Sequence, residues 1–499
     1  ARWLKVPYTS ALVVAGLIIG AGKWVPAPHL SKDLLFTVFL PGLLFEAAFH
    51  LNAKHFWANK WAVSGLAVPG VVLAIGVTAF LLVPFVRGFA LERGFRLIDG
   101  LVFGGIVAAT DPIAVVALFK SLGTPKRLGV LVEGESLLND GTAVVLFGVI
   151  LNLASGAPVT IADVALDFFR TCGLGVVIGT ALGYAGSKVI RLVDDPMIEI
   201  TATVVVAWGS FALAEQVQAS GVLATVSAGL LCGNYGARTG MSPTTKIAVA
   251  TFWGYLAFAL NSIVFLLIGF EVQLRGVLAA WQTVILAWLA TTAARAIVVA
   301  AVTLALRRSR ERLPKWWGVV MSWAGIRGGL SMVLVLALPL TFPHRQFLID
   351  VVFGVVVLSI LLQGSTLAPL LRHFKINSED AARFEYQAAR VDQLAAQAAL
   401  EELTAIEGTH TSAANIVQNI RAEYRSRLAD AEGRLRTLHL ADSVLADEEL
   451  HRIHYRLIMV EKERVLDAIR HGAASEETAA KLLAALDARL VQLEQRAES

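Results

Sequence analysis

Apolar stretches of roughly 20 residues recur along about three quarters of this chain of 499 residues. A stretch of that length crosses the hydrocarbon core of a membrane as an α-helix, because lipid offers no partners to unpaired backbone groups. The composition agrees, since 56% hydrophobic and 16% charged residues exclude an ordinary soluble domain. We predict about twelve spanning helices. They lie near residues 7–24, 33–50, 61–86, 97–119, 128–151, 162–189, 197–215, 220–234, 247–272, 277–305, 316–339 and 346–372.

The cysteines and the amino terminus place few further constraints on the chain. Cys172 and Cys232 both lie in apolar stretches, so we predict neither a disulfide framework nor a metal site for them. Residues 1–24 are predicted to be a retained membrane helix rather than a cleaved signal peptide. The chain begins at Ala1 without an initiator methionine, and we expect one further helix to precede it.

Basic residues in the predicted loops are distributed unevenly between the two sides of the membrane. By the positive-inside rule, the side with more Lys and Arg is cytoplasmic. This places Ala1 and the carboxyl-terminal tail in the cytoplasm, and a helix before Ala1 would put the amino terminus of the intact chain outside. The basic residues assigned to the cytoplasmic side are Lys54, Lys60, Lys120, Lys126, Arg127, Lys188, Arg191, Arg238, Lys246, Arg307, Arg308, Arg310, Arg312 and Lys315.

The composition changes near Lys375, where the long apolar runs stop and Ala, Glu, Arg and Gln dominate. Helical periodicity continues in this tail. We therefore predict a transmembrane domain over residues 1–374 and a cytoplasmic helical domain for regulation or assembly over residues 375–499. The predicted tail helices cover residues 378–406, 412–438, 447–470 and 475–496.

Several polar side chains interrupt the apolar sequence LGVLVEGESLLNDGTAVVLF. A charge at the bilayer centre costs about 3 kcal/mol on insertion scales, so such residues face protein or a water-filled cavity. At helical spacing Glu135 lies one turn from Asn139, and Ser136 one turn from Asp140, which together form one polar stripe. This stripe is the candidate ion site. The alternative is that Glu133 and Glu135 lie at an interfacial end while a neighbouring helix satisfies Asp140.

A second cluster lies in the fourth span, in GGIVAATDPIAVV. Pro112 has no N–H, and its ring crowds the carbonyl of Ala108, so the helix is predicted to break or kink beside Thr110 and Asp111. Backbone carbonyls at such a break, that of Thr110 among them, can bind a small cation together with a carboxylate. A proline kink with a purely structural purpose is the alternative.

A third cluster lies in the eleventh span, in SWAGIRGGLSM. Three glycines loosen the helix around Arg327, which places a permanent positive charge within the membrane. Because a buried guanidinium needs a counter-ion, we predict that Arg327 pairs with Glu135. Interrupted spans in corresponding positions of two halves indicate inverted repeats, with the substrate site where the broken helices meet.

Three further intramembrane residues have roles that the sequence leaves open. Glu46 is either an accessory carboxylate on the path of an ion or an interfacial group. Asn261 either hydrogen-bonds between helices or contributes to the site. Arg295 either pairs with a buried acid or extends to the membrane surface.

Four motifs occur together in register, namely TDPIAVV, EGESLLNDGTAVV, FWGYLAFALNSIVFLLIGFEV and SWAGIRGGLSM. In this order the chain resembles the monovalent cation:proton antiporters, the family of the NhaP-type bacterial sodium/proton antiporters and the animal sodium/proton exchangers. The resemblance covers residues 7–374. The tail segment ERVLDAIRHGAASEETAAKLLAALDARL is similar to the helical tails of bacterial members. The resemblance implies an all-α inverted-repeat fold with two broken, crossing helices, and a homodimer.

The resemblance also implies roles for individual residues. Asp140 corresponds to the carboxylate that binds the cation or protons. Glu135 and Arg327 correspond to an ion pair that links the two halves and steadies Asn139. An Asn before the Asp, rather than a second Asp, is the pattern associated with electroneutral exchange. The implied ion-binding residues are Asp140, Asp111, Thr110, Ser136, Asn139 and Glu46, and the first four of them are the implied Na⁺ ligands.

We therefore expect a secondary active antiporter of the bacterial inner membrane that exchanges Na⁺ or Li⁺ for H⁺ by alternating access. Its expected partners are a monovalent cation, protons, membrane lipid and a second copy of the chain. No enzymatic activity, cofactor or nucleic-acid partner is expected. A potassium/proton antiporter, a sodium-coupled organic-anion transporter on the same fold and a non-transporting membrane sensor remain alternatives.

Overall fold

The chain divides into two compact units, residues 1–377 and 378–499, and each is described by itself. All regular structure found in the described part of the chain is helical. The computed structural model describes residues 8–22, 34–156, 160–192, 195–237, 240–241, 243–271, 273–309, 311–374, 376, 379–409 and 414–441, with a few single positions beyond 456.

The first half of unit 1 contains eight described helices, and two of them, α2 and α5, carry a proline in the first turn. A π-helical turn, Leu35–Phe39, leads into α2, and Pro69 occupies the first turn of α5, where its missing N–H is harmless. These helices are α1 (Tyr8–Gly22), α2 (Leu40–His50), α3 (Ala53–Ala58), α4 (Lys60–Ala67), α5 (Pro69–Gly88), α6 (Leu97–Ala108), α7 (Ile113–Leu122) and α8 (Lys126–Ala154).

The second half of unit 1 continues with ten described helices. Two of them carry π-helical turns at their ends, Cys232–Gly236 after α11 and Ser359–Gln363 between α17 and α18. These helices are α9 (Ile161–Ile190), α10 (Pro196–Gln216), α11 (Gly221–Leu231), α12 (Pro243–Glu271), α13 (Leu274–Ala279), α14 (Trp281–Ala305), α15 (Trp317–Trp323), α16 (Gly329–Leu336), α17 (Arg345–Leu358) and α18 (Gly364–His373).

Seven helical segments of unit 1 are long and apolar enough to cross a membrane, counted over the described residues. Three shorter apolar helices add to them, at Ala11–Gly20, Leu35–His50 and Leu97–Ala108. The predicted fourth and eleventh spans are each split into two helices, α6 with α7 and α15 with α16. The chain is therefore a multi-pass membrane protein with two interrupted spans.

The helices of unit 1 form two groups that make their most extensive contacts internally. We call α4–α8 with α14–α18 the core bundle, and α1, α2 and α9–α12 the scaffold bundle. Small residues allow close packing in the scaffold bundle, as in the crossing of α1 and α12, where Gly16 lies against Gly269. The apolar contacts between the bundles include Leu137 of α8 with the cluster that contains Phe211 and Val222.

A buried acid ties the loop after α14 to two other parts of the core bundle. Glu311 accepts hydrogen bonds at its carboxylate from the backbone N–H groups of Trp61 and Ala62, at 3.4 and 2.8 Å. Its carbonyl oxygen accepts a bond from Arg127 Nη2 at 2.9 Å, and Arg127 Nε donates to Asn59 Oδ1 at 2.7 Å. Glu311 thus caps the N-terminus of α4 from a distant part of the chain.

Unit 2 contains two described helices, α19 (Glu379–Thr409) and α20 (Ala414–Ala441), which pack against each other. Asp392 accepts hydrogen bonds from Arg427 at 2.7 Å and from Arg434 at 2.6 Å. These bonds, that from Arg427 first, hold the pKa of Asp392 below its ordinary value. The predicted helices at 378–406 and 412–438 correspond to α19 and α20, whereas those at 447–470 and 475–496 lie outside the described residues.

Candidate ion-binding site

The break in the first interrupted span lies between Ala108, where α6 ends, and Ile113, where α7 begins. Pro112 explains the break, because it cannot donate an N–H and its ring excludes the residue before it from helical geometry. The carboxylate of Asp111 starts the new helix by accepting a hydrogen bond from the Ile113 N–H at 3.0 Å. The predicted interruption beside Thr110 and Asp111 is therefore present in the structure.

The break in the second interrupted span separates Trp323, at the end of α15, from Gly329, at the start of α16. It crosses the first break directly, since the N–H of Asp111 donates to the carbonyl oxygen of Ile326 at 2.7 Å. A Cβ atom at Gly328 would collide with the Asp111 side chain. Glycine at this position therefore permits the two interrupted spans to meet.

Arg327 joins the two breaks by a side-chain contact as well. Its guanidinium donates from Nη1 to the carbonyl oxygens of Ala108 and Ala109, at 2.9 and 3.3 Å. These carbonyls lie at the C-terminal end of α6, where the helix itself leaves carbonyls unpaired and where a cation is favourable. The positive charge of the second repeat therefore completes the hydrogen bonding of the first.

Two residues that the sequence analysis did not identify support the second break. The backbone N–H of Arg327 donates to Ser359 Oγ at 3.0 Å, and Ser359 Oγ in turn donates to Gln363 Oε1 at 2.5 Å. Both side chains are buried and lie at the two ends of the π-helical turn Ser359–Gln363. Such turns often occur at functional sites. The only signal in the sequence was two polar residues four apart in an apolar run.

The predicted ion pair between Glu135 and Arg327 is wrong, because the structure pairs Glu135 with Arg295. Arg295 on α14 donates from Nη1 and Nη2 to the two carboxylate oxygens of Glu135, at 2.7 and 2.9 Å. Glu135 is 1% exposed and Arg295 is 7% exposed, so both charges are buried and each compensates the other. Arg327 finds its partners among carbonyls instead. Of the two roles that the sequence allowed for Arg295, the structure shows the pairing with a buried acid and not the extension to the membrane surface.

The amide of Asn139 contacts both the ion pair and the first break. Its Nδ2 lies 3.3 Å from Glu135 Oε1, 3.1 Å from the carbonyl oxygen of Ala108 and 3.4 Å from Thr110 Oγ1. One turn earlier on α8, Ser136 Oγ donates to the Thr110 carbonyl oxygen at 2.6 Å and lies 2.7 Å from Thr110 Oγ1. Ser136 and Asn139 thus fix the backbone of the break from behind.

A cavity of about 90 Å³ lies in front of the broken helices. A water molecule needs roughly 10–15 Å³ of such space, so the cavity has room for a small cation with a few waters. Asp140 Oδ1 is buried and makes no hydrogen bond to any described residue. Carboxylate, hydroxyl and carbonyl oxygens are the ligands that hard cations prefer. The polar residues that line the cavity are Thr110, Asp111, Asp140 and Asn261.

The structure separates the predicted ion-binding residues into two groups and leaves Glu46 outside both. Thr110, Asp111 and Asp140 line the cavity, whereas Ser136 and Asn139 lie behind it and hold the break. Glu46 belongs to neither group, because it does not line the cavity and its carboxylate lies 3.2 Å from His50 Nδ1 one turn along α2.

Comparison with known proteins gives consistent results for sequence and fold. The family model described as "Sodium/hydrogen exchanger, transmembrane" matches residues 1–373. The Na⁺/H⁺ antiporter ApNhaP of Aphanothece halophytica is 32% identical over 471 residues, which cover 94% of this chain and 89% of that protein. The Na⁺/H⁺ antiporter NhaP of Pseudomonas aeruginosa is 37% identical over 351 residues, covering 68% of this chain and 81% of that protein.

A solved structure shows the same fold at low sequence identity. The sodium proton antiporter MjNhaP1 from Methanocaldococcus jannaschii superposes with a TM-score of 0.62 and 20% identity, covering 74% of this chain and 93% of that one. The predicted all-α antiporter fold, with two broken and crossing helices, is therefore confirmed.

Proposed function

Because the chain belongs to the sodium/hydrogen exchanger family, we propose that it is a secondary active antiporter that exchanges Na⁺ or Li⁺ for H⁺ at Asp140. The observation that carries the proposal is the position of Asp140 Oδ1, which is buried without a hydrogen bond to any described residue and lines the cavity with Asp111. A buried carboxylate oxygen that accepts no hydrogen bond from the protein requires a proton or a cation. Only one of them can occupy it at a time, so the two ligands compete.

The proposed cation ligands are the oxygens of Asp140, Asp111 and Thr110. Ser136 keeps the Thr110 carbonyl and hydroxyl in place through its own hydroxyl, and Asn139 keeps the preceding turn in place through Ala108. Fixed oxygen positions favour a cation of one size, because ligand flexibility is what tolerates others. Ser136 and Asn139 are therefore proposed to support the ligands. For Glu46 we propose no contact with the ion in this conformation.

The charges around the site support a one-for-one exchange. The buried carboxylate of Glu135 and the partly buried carboxylates of Asp111 and Asp140 accompany the two buried guanidiniums of Arg295 and Arg327. The formal net charge is therefore −1 with an empty site and zero with either one proton or one Na⁺. Moving a neutral assembly through the membrane is far less costly than moving a charged one. The loaded protein is therefore proposed to change state while the empty one does not, with no net charge moved.

The position of the cavity supports alternating access. Its polar lining residues other than Asn261 lie on the core bundle, whereas the facing wall is formed by α2 and α12 of the scaffold bundle. We propose that the core bundle moves against the scaffold bundle and carries the ion with it. Binding of either ligand neutralises the core and permits this movement.

We propose that the protein is a homodimer in the bacterial inner membrane with the tail in the cytoplasm. The scaffold helix α9 exposes much of its apolar surface, including Phe169 at 72%, and only 11% of its spanning window is buried within the chain. Such a face requires lipid or a second copy of the chain. The cytoplasmic position of the tail rests on the distribution of Lys and Arg in the loops.

Proteoliposomes with an imposed pH gradient and an enclosed pH-sensitive dye test the function directly. Na⁺, Li⁺ and K⁺ are added in separate experiments, and only a cation that the protein transports should change the dye signal. Asp140→Asn should abolish this response while the purified variant still folds. The rate should not depend on a membrane potential set with valinomycin. A response to K⁺ alone would favour the potassium/proton alternative. No response from folded wild-type protein would refute cation exchange and favour a sensor or an organic-anion transporter.

A further inference from the structure

Asn261 lies in the middle of the scaffold helix α12, with 4% of its surface exposed. It is one of the residues that line the cavity in front of Asp140. Within the part of the chain that the structure describes, its carboxamide makes no hydrogen bond. The carboxamide atoms are not among the fully buried polar atoms that lack a partner, so they reach the open space of the cavity, and polar groups at such a position are normally satisfied by protein, water or a ligand. We therefore expect the carboxamide of Asn261 to form its hydrogen bonds with water or a ligand inside the cavity.

The surroundings of Asn261 make this group distinct from all its neighbours on the scaffold side. Val264 and Phe265, one turn further along α12, line the cavity with apolar side chains. The wall contributed by α2 is also apolar. Among the described lining residues, Asn261 is thus the only polar side chain that the scaffold bundle presents to the cavity. The scaffold-side lining residues are Leu35, Phe39, Leu40, Leu43, Leu44, Ala47, Asn261, Val264 and Phe265.

We propose that the carboxamide oxygen of Asn261 binds the hydration shell of the transported cation and so sets the apparent affinity for it. The inference rests on the proposed exchange at Asp140. Amide oxygens are common ligands of hard cations, and the cavity of about 90 Å³ has room for water between Asn261 and an ion at the carboxylates. Ordinary helix-to-helix packing would instead pair this amide with a neighbouring helix, and no such bond is present among the described residues.

The contact between Asn261 and the hydrated ion exists only in the conformation in which Asn261 lies opposite the carboxylates of the core bundle. Asp140, Asp111 and Thr110 belong to the moving core, whereas Asn261 belongs to the scaffold. A movement of the core therefore separates the ion from Asn261 but not from its carboxylates. Asn261 accordingly raises the affinity in one conformation of the transport cycle, and its loss lowers the affinity on one side of the membrane.

The test compares wild type, Asn261→Leu and Asn261→Asp as full-length proteins in proteoliposomes, with Ser262→Ala as the matched control. Ser262 is the next residue, and its hydroxyl donates within α12 to the carbonyl oxygen of Phe258 at 2.7 Å. Asn261→Leu should raise the apparent KM for Na⁺ about five- to tenfold with a maximal rate within about twofold of wild type. Asn261→Asp, which keeps an oxygen at the same position, should restore much of the affinity. Ser262→Ala should leave the apparent KM unchanged.

A second measurement keeps the inference testable if a variant transports poorly. The increase in melting temperature on adding NaCl to the purified protein, relative to choline chloride, reports binding without turnover. Asn261→Leu should need about five- to tenfold more Na⁺ for half of that increase. An unchanged Na⁺ dependence, together with a higher melting temperature in choline chloride, would assign Asn261 to packing alone and overturn the inference. Absence of exchange in wild type would instead refute the proposed function.

Discussion

The guanidinium of Arg327 lies 2.9 Å from the carbonyl oxygen of Ala108, so a charge from one broken helix completes the end of the other. The reciprocal contact is made by the backbone, from the N–H of Asp111 to the carbonyl oxygen of Ile326 at 2.7 Å. Because backbone groups cannot remain unpaired within a membrane, each break depends on the other for its hydrogen bonds. The two interrupted spans therefore form a single structural unit that carries Asp111, one of the two carboxylates of the site.

Replacement of Arg327 by glutamine should disrupt this unit. The glutamine side chain keeps an N–H donor group, but it is neutral and shorter than arginine. The carbonyls of Ala108 and Ala109 therefore lose hydrogen bonds, which should cost about 2–4 kcal/mol of folding free energy. Exchange should fall at least tenfold. Thermal unfolding in detergent and transport in proteoliposomes measure the two effects, with Arg345→Gln as a control outside the site. Wild-type stability in Arg327→Gln would contradict the assigned role.

A double-mutant cycle distinguishes the observed ion pair from the one that the sequence suggested. Glu135→Gln should destabilise by about 3–5 kcal/mol, since it leaves the buried guanidinium of Arg295 uncompensated. The coupling energy of Glu135 with Arg295 should exceed about 1.5 kcal/mol, and that with Arg327 should be clearly smaller. Chemical or thermal unfolding of the single and double variants gives both values. A larger coupling with Arg327 would restore the original assignment.

The relay from Gln363 through Ser359 to the backbone of Arg327 should position the second break. Gln363→Leu removes the acceptor of the Ser359 hydroxyl and should reduce the maximal exchange rate several-fold, by displacing Arg327 from the α6 carbonyls. Gln363→Glu keeps an acceptor and should recover part of that rate. No such recovery is expected if the side chain of Gln363 only fills space. Transport kinetics over a range of Na⁺ concentrations separate rate from affinity. Equal activity of the two variants would argue against the relay.

The cap that Glu311 provides to α4 should contribute to stability rather than to ion affinity. Glu311→Gln weakens the bonds to the N–H groups of Trp61 and Ala62 and removes a negative charge from the start of a helix, which should cost about 1–2 kcal/mol. The apparent KM for Na⁺ should stay within about twofold of wild type. Melting temperature and transport assays on the same preparation decide the matter, and a changed KM with unchanged melting would reverse the assignment.

The lowered pKa of Asp392 predicts a pH-dependent tail. Its ion pairs with Arg427 and Arg434 stabilise α19 and α20 above the unfolded pKa of about 3.9, and this contribution is lost as the pH falls through the lower folded pKa. Asp392→Asn should therefore increase hydrogen exchange over residues 379–441 at pH 7. The difference from wild type should disappear at the most acidic pH that the protein tolerates, and Asp430→Asn should show little effect at either pH.

The sequence located both breaks because their causes are local. Pro112 terminates a helix wherever it lies, and glycines around Arg327 act in the same way. The polar stripe on α8 was likewise visible, because helical spacing alone brings Glu135 and Asn139 to one face. These features need no knowledge of neighbouring helices.

Contacts between distant spans could not be predicted in the same way. Arg295 and Arg327 are both intramembrane arginines, and periodicity does not define the depth or rotation at which α14 and α8 meet. The π-helical turn that brings Ser359 and Gln363 to the break has no sequence signature of its own. Asn261 remained ambiguous for the same reason, since its role depends on a cavity formed by two bundles.

The apolar wall that α2 presents to the cavity has a consequence for the rate of the transport cycle. Leu40, Leu43, Leu44 and Ala47 offer no directional bonds, so displacement of the opposite surface along them breaks no hydrogen bond and has no preferred register. The activation barrier there arises from dispersion contacts and from the displacement of water, both of which vary gradually with position. Such a surface permits large movements with only shallow free-energy minima between the end states. Among the described lining residues of the scaffold bundle, Asn261 alone can form a directional bond that such a movement must break.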